Sequence, residues 1–413
     1  MTTAWISGFE CGDTNEWSDL QVGTRWTNTV STAYNRTTGG NYGMRCVRDA
    51  LSGGTVGSYV SGQNALPVWY NDPAGASPGG ITLPLSFRFY FYIDTWNGTS
   101  PTHSESILEF TFTDASGTGS VAMIISGGRL LRIKDRNGTF LTIYTPALDT
   151  WYRCEGFITK STVEADIYAE AGTTSLGHGS QATGFSSDPG SASDVYFGCK
   201  TIFGQNAITD IWFDDLKINE NTSTYPGRGA WMPLVYPDTD STPIDFNCST
   251  GTDHSVLVDD SVVNDWAVAA PTDYVTTPVG GTNDLEDRYT LAATTAPNGT
   301  ICVAIMAWSN AADASVIGAN HRLGGTDGTN RYEGPAFNAG TATYQRRGII
   351  LSTQPDGSAW DDTGYGALEV FVRRVGENVS SRNVSSMAIF IEDDDGGTPP
   401  VAPSVQRARG SVT

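Results

Sequence analysis

Apolar and polar residues alternate along most of this chain, in short runs broken by Gly, Asn, Asp and Pro. LSFRFYFYIDTW (Leu85–Trp96), SILEFTFTDASG (Ser106–Gly117), WYRCEGFIT (Trp151–Thr159), TVEADIYAE (Thr162–Glu170) and DVYFGCKTI (Asp194–Ile202) all follow it. A period of two places alternate side chains on opposite faces of a strand, one toward a core and one toward solvent. VAMIISGGRLLRIKDRNGTFLTIY (Val121–Tyr144) adds two hairpin signals, Gly127-Gly128 and Asn137-Gly138. Both pairs suit the positive φ that tight hairpin turns require. This cadence predicts a two-sheet antiparallel sandwich over residues 1–220.

The alternation lapses at NENTSTYPGRGAWMPLVYPDTDSTP (Asn219–Pro243), which is read as a linker over 221–243. It resumes in TICVAIMAW (Thr300–Trp308), QRRGIILST (Gln345–Thr353), ALEVFVRRV (Ala367–Val375) and SSMAIFIED (Ser385–Asp393). These predict a second β-sandwich over 244–395. Residues 396–413 lack any strand pattern and are expected to form an extended tail. The predicted class is therefore all-β: a jelly-roll sandwich, a second sandwich and an irregular tail.

Composition sharpens this picture. The 413 residues include 47 Gly and 19 Pro, which suits many turns, and 44 aromatic residues (11 Trp, 17 Tyr, 16 Phe), enough for large cores. A formal net charge of −21 repels phosphate backbones, so nucleic acid is not an expected partner. No apolar run is long enough to span a membrane, and MTTAWISGFE has neither the basic start nor the apolar centre of a secretory signal. The six cysteines are far apart with no Cys-x-x-Cys pair, which reads as buried free thiols, not zinc ligands.

DIWFDDLKI (Asp210–Ile218) poses a problem. It is a strand by its apolar residues, yet Asp214 and Asp215 sit in its middle. In a regular strand Trp212, Asp214, Leu216 and Ile218 share one face, so Asp214 is expected to point with the core and to need a partner. A cation shared with Glu10 and Asp13 is one solution. The other is that Asp214 accepts backbone N–H groups while Asp215 is exposed.

These segments resemble the ends of concanavalin A-like lectin, LamG and carbohydrate-binding-module jelly rolls. There Phe-Glu-x-Gly opens the fold and an aromatic followed by Asp-Asp and an aliphatic residue closes it. The matches here are Phe9-Glu10-Cys11-Gly12 and Phe213-Asp214-Asp215-Leu216. The resemblance implies that the first and last strands pair, and that a structural Ca²⁺ lies among Glu10, Asp13, Asp214 and Asp215. It also implies glycan contacts by exposed aromatics, for which Trp69, Tyr70 and Trp96 are the candidates.

Some jelly rolls of this kind are glycoside hydrolases with a Glu-x-Asp-x-Glu strand. VEADIYAEAG (Val163–Gly172) comes near it with Glu164, Asp166 and Glu170, but the third acid is out of register. The acids are read as a solvated face above a buried Val163, Ala165, Ile167 and Ala169, and the chain is expected not to be an enzyme. His103, His178, His254 and His321 lack metal-like spacing.

The second block is similar to a segment of tailed-bacteriophage virion proteins. DYVTTPVGGTNDLEDRYTL (Asp273–Leu291), TICVAIMAWSNAADASV (Thr300–Val316) and LSTQPDGSAWDDTGYGALEVFVRRV (Leu351–Val375) carry this resemblance, over about residues 230–395. It implies a virion structural protein assembled in the host bacterial cytoplasm. Such a protein decorates a capsid or tail surface as a homo-oligomer, packs on other virion proteins, and has a host-surface glycan as a further contact. The alternative readings are a polysaccharide-binding module protein and a jelly-roll glycoside hydrolase.

Overall fold

The computed structural model describes residues 2–7, 9, 17, 19–23, 26–33, 36, 42–48, 57–63, 80–97, 103–203, 208–259, 273–278, 285–291, 302–311, 320–338, 345–375 and 382–393. Four antiparallel sheets contain nearly all of its regular structure. No helix among these residues is long and apolar enough to cross a membrane.

The first sheet runs, edge to edge, Gly177–Ala182, Thr162–Ala169, Trp151–Ile158, Leu85–Trp96, Thr209–Glu220, Gly43–Arg48 and Trp26–Ser31. Thr2–Ser7 also pairs with Thr209–Glu220, so the first and last strands of this half do lie together. The second sheet runs Phe140–Tyr144, Leu130–Lys134, Gly117–Ser126, Ser104–Asp114, Ser191–Phe203, Ser58–Gln63 and Asp19–Val22. Both hairpin signals stand at their expected turns, with Gly128 at φ 74° and Gly138 at φ 84°.

Phe87, Phe89, Phe91, Phe110, Phe197 and Phe213 fill the space between these sheets. Phe89 and Phe213 each meet Phe197 edge to face, with centroids 5.7 and 5.2 Å apart. This geometry is favourable for aromatic quadrupoles. Alternation along Thr162–Ala169 agrees with the sequence: Val163, Ala165 and Ile167 are core residues, although Ala169 is exposed. Cys46, Cys154, Cys199 and Cys248 are free thiols, the first three fully buried.

Two six-stranded sheets form the second sandwich. Its core holds Phe246, Val303, Ile305, Leu323, Ile349, Val370, Val372 and Ile389. The segment read as a linker is shorter than expected. Ala230–Val235 pairs with Arg382–Asp393, and Pro237–Ile244 pairs with Glu286–Leu291. Pro237–Ile244 is an edge strand of Asp, Thr, Ser and Pro, polar enough to read as a loop. The connection proper is residues 221–229. The tail 396–413 lies outside the described residues.

Candidate functional site

The outer face of the first sheet, turned away from its core, gathers most of the chemistry. Register aligns its side chains in rows across the strands. Trp151, Tyr92, Trp212 and Arg45 form the first row. Tyr168, Arg153, Tyr90 and Asp214 form the second. His178, Asp166, Glu155, Arg88 and Lys217 form the third, and Ser180, Glu164, Phe157, Ser86 and Asn219 the fourth.

The aspartates of Asp210–Ile218 belong to this face, and a β-bulge explains why. Asp214 pairs with Tyr90 and Lys217 with Arg88, so two residues stand opposite Phe89 alone. Asp215 takes the left-handed φ of 46° that makes room for the extra residue. Its N–H donates to Asp214 Oδ1 at 2.7 Å. Ile211 and Phe213 face the core before the bulge, and Leu216 and Ile218 face it afterwards. The regular alternation that would place Trp212 and Asp214 with the core therefore does not hold.

Asp214 and Asp215 are both fully buried. Asp215 is ion-paired to the Arg36 guanidinium, which stacks 3.3 Å above the Tyr90 ring and reaches the Gly229 carbonyl. The expected exposure of Asp215 is thus corrected: its neighbouring cation is a guanidinium. Glu10 and Asp13, the other expected Ca²⁺ ligands, lie outside the described residues.

The middle of the face is closed. Arg88 donates to the Gly227 carbonyl at 3.2 Å and to Glu392 Oε1 at 2.9 Å. Lys217 is ion-paired to the other Glu392 oxygen. Glu392 belongs to Arg382–Asp393 of the second sandwich, so one carboxylate fastens the two halves together. Burial alone would raise its pKa. Lys217 and Arg88 outweigh burial and hold it below the ordinary carboxylate value.

Two margins remain more open. At one, Tyr92 and Trp151 are half-buried, with ring centroids 5.6 Å apart and planes tilted by 46°. Tyr92 donates to Asp149 Oδ1 at 3.2 Å. Trp212 lies beside them, buried, with the Arg45 guanidinium 5.4 Å from its ring centroid. Arg45 forks both oxygens of Asp210. Asp94 is hydrogen-bonded to Asp210, and burial, then Asp210, then Asp149 push its pKa up. This margin thus offers rings, a cation and two carboxyls in contact.

At the other margin the Tyr225 hydroxyl lies 2.7 Å from Asp166 and 3.0 Å from Glu164. His178 Nδ1 is 3.1 Å from Asp166, and Ser175 donates to Asp166 at 2.6 Å. These hydrogen bonds outweigh burial and keep Asp166 below its ordinary value. Glu170 turns instead toward Arg36, at 3.6 Å. The expected solvated acid face is thus in part a built cluster. His178 stands directly opposite Asp166 in the sheet, although its spacing along the chain gave no metal signal.

Of the expected glycan-binding residues, Trp96 alone lies among the described residues. Trp69 and Tyr70 lie outside the described residues. Trp96 packs against the core with its ring 5.0 Å from His103. The open rings are Tyr92 and Trp151, missed by the sequence reading. Their signal was present in FYFYIDTW, where Tyr90, Tyr92 and Asp94 alternate with Phe89, Phe91 and Ile93.

No family model and no curated protein matches this chain. Among solved structures it is similar to an alginate lyase from Chlorella virus, at 12% identity and TM-score 0.32, covering 50% of this chain and 93% of the lyase. It is similar to domain 4 of a GH43 extracellular arabinanase from Geobacillus stearothermophilus, in complex with arabinotriose. That match has 11% identity and TM-score 0.33, covering 54% of this chain and 94% of the other. A Trypanosoma rangeli sialidase matches at 12% identity and TM-score 0.25, over 44% of this chain and 28% of its own. The expectation of a non-enzyme is corrected here, because these similar structures include enzymes. The likeness is one of fold, and no reaction is carried from it to this chain.

Proposed function

We propose that the first sandwich binds glycan at the margin formed by Tyr92, Trp151, Trp212 and Arg45. The observation behind this reading is the pair of half-buried rings flanked by Asp149, Asp94 and Asp210. A sugar ring presents an apolar face and a rim of hydroxyls. Tilted aromatics fit the face, and carboxylates with a guanidinium fit the rim. The setting we propose is the surface of a tailed-phage particle, with capsid or tail proteins and further copies of the chain as partners. The resemblance of residues 230–395 supports that setting, as does a second sandwich fastened to the first by the buried Arg88–Glu392–Lys217 cluster.

The test uses the full chain in affinity electrophoresis against a panel of bacterial surface polysaccharides. Retention by at least one glycan is expected, with a loss of about ten-fold or more in Trp151→Ala and Tyr92→Ala at unchanged melting temperature. Retention that both variants preserve overturns the site. Quantitative mass spectrometry of purified particles tests the setting, and absence of the chain from them overturns it.

The Asp94–Asp210 pair favours a second reading, acid–base cleavage of the bound glycan. Asp94 is hydrogen-bonded to Asp210, which is paired to Arg45, so the two carboxyls stand in different surroundings suited to different roles. Reducing ends released by the wild type and not by Asp94→Asn would assign cleavage to this pair.

A further inference from the structure

We propose that Glu164, Asp166 and His178 form a binding site for a divalent transition-metal cation of the Zn²⁺ type, with the Tyr225 oxygen as a fourth donor. This inference rests on the opposite margin of the face and does not depend on the glycan reading.

Geometry comes first. One donor atom from each of Glu164, Asp166 and His178 lies within 4.8 Å of the other two. Contraction of that triangle onto one ion needs only side-chain movement, since metal–ligand distances are about 2.0–2.2 Å. The donors come from different elements. Glu164 and Asp166 project from one face of Thr162–Ala169, and His178 stands opposite Asp166 on Gly177–Ala182. Tyr225 arrives from the connection, its ring packed 5.9 Å from Phe157. Ser175 holds the second Asp166 oxygen at 2.6 Å, the outer-shell contact that orients a ligating carboxylate.

Charge compensation is the second observation. Four other buried acids on or against this face have a strong base in contact: Asp215 has Arg36, Asp210 has Arg45, Glu155 has Arg153, and Glu392 has Arg88 and Lys217. Among the described residues no guanidinium or ammonium pairs with Glu164 or Asp166. Their partners are a phenol, a serine hydroxyl and an imidazole. The single phenolic proton of Tyr225 faces two carboxylates and can satisfy only one. Two carboxyl groups thus meet around one phenol and one imidazole, with no guanidinium or ammonium in contact among the described residues.

Donor chemistry selects the class of ion. An imidazole nitrogen with two carboxylate oxygens suits Zn²⁺ and its neighbours, whereas Ca²⁺ requires an all-oxygen shell of six to eight ligands. The His178 side chain is 54% exposed, so an ion has a route in from solvent.

The experiment is calorimetric titration of the full chain, stripped with a chelator, against ZnCl₂ alone. One site per chain is expected. His178→Ala and Glu164→Gln should each weaken it by about 100-fold or more, at unchanged circular dichroism. Both residues lie outside the hydrophobic core, so these variants retain the fold. A second readout is the Zn²⁺-dependent rise in melting temperature, expected in the wild type and absent from both variants. No Zn²⁺ binding by the wild type, or binding that both variants preserve, overturns the proposal. Ca²⁺ binding that matches Zn²⁺ and survives His178→Ala overturns the imidazole assignment.

Discussion

Replacing Glu392 should separate the two sandwiches energetically. Its carboxylate is fully buried between Arg88, at 2.9 Å, and Lys217, and both cations are almost wholly buried themselves. Glu392→Ala leaves two desolvated cations without their counter-ion. Removing one partner of a buried pair costs about 3–5 kcal/mol. Arg88 dominates the cost, because a guanidinium stays charged whatever its surroundings. For comparison, Glu369→Ala at the partly exposed Arg288 pair should cost under about 1 kcal/mol. The assay is urea unfolding at pH 7, with proteolysis of residues 221–229 as a local probe. Replacing Arg88, Lys217 and Glu392 together by Met should recover most of the loss, because the penalty lies in unpaired charge more than in missing attraction. The pH dependence has a definite sign. Glu392 titrates below its ordinary value of 4.5 in the fold, so its stabilisation is complete above about that pH and fades as pH falls through the lower, folded value. The gap between wild type and Glu392→Gln should therefore narrow in acid. A loss under about 1 kcal/mol for Glu392→Ala, or a triple variant no more stable than the single one, would refute this reasoning.

Two further substitutions probe the first sheet. A Cβ at Gly156 would meet the Glu164 carbonyl oxygen at 2.4 Å and the Phe87 ring at 2.5 Å. Gly156→Ala should thus cost about 2–3 kcal/mol by overpacking, read as a lower melting temperature; no change would mean that the strand shifts freely. Asp215→Gly relieves about 1 kcal/mol of left-handed strain but strips Arg36 of its buried partner, worth more, so chemical denaturation should show net destabilisation. A stabilised Asp215→Gly would mean that the bulge's strain exceeds its ion pair.

Strand existence was legible in the sequence because period-two alternation is enforced by one buried face. Val163, Ala165 and Ile167 face the core as expected, and the Asn137-Gly138 hairpin closes where it should. Parity across Asp214 and Asp215 was not legible. A bulge built on a non-glycine residue at positive φ leaves no composition signal, and the base that stabilises it, Arg36, is 179 residues away. Glu392 read only as an acid near the end of the strand SSMAIFIED for a similar reason: its partners Arg88 and Lys217 stand in another sandwich. The pairing of His178 with Asp166 follows from register, which depends on the length and shape of the turn at 170–176. Alternation reports which way a side chain points, whereas a site depends on what stands opposite, and that is set by pairing.

The distribution of bases separates the structural from the functional parts of the face. The chain has 24 Lys and Arg for 45 Asp and Glu, so at one base per acid nearly half of the acids go without a basic partner. Exposed acids tolerate this through hydration, while buried ones do not. The rows covered by the connection and by the second sandwich hold Arg36, Arg88, Arg153 and Lys217, each on a buried acid. Those bases are paired to acids within the chain and act as a fastening. At the margins the pairing runs short: Asp94 and Asp210 share Arg45 beside Tyr92 and Trp151, and Glu164 with Asp166 has only hydroxyls and an imidazole. Acids held in place without a fixed base retain capacity for a partner from outside, sugar hydroxyls at one margin and a cation at the other. The same scarcity of bases that obliges the chain to place its arginines in the closed centre thus leaves its open edges as the places where ligands can bind.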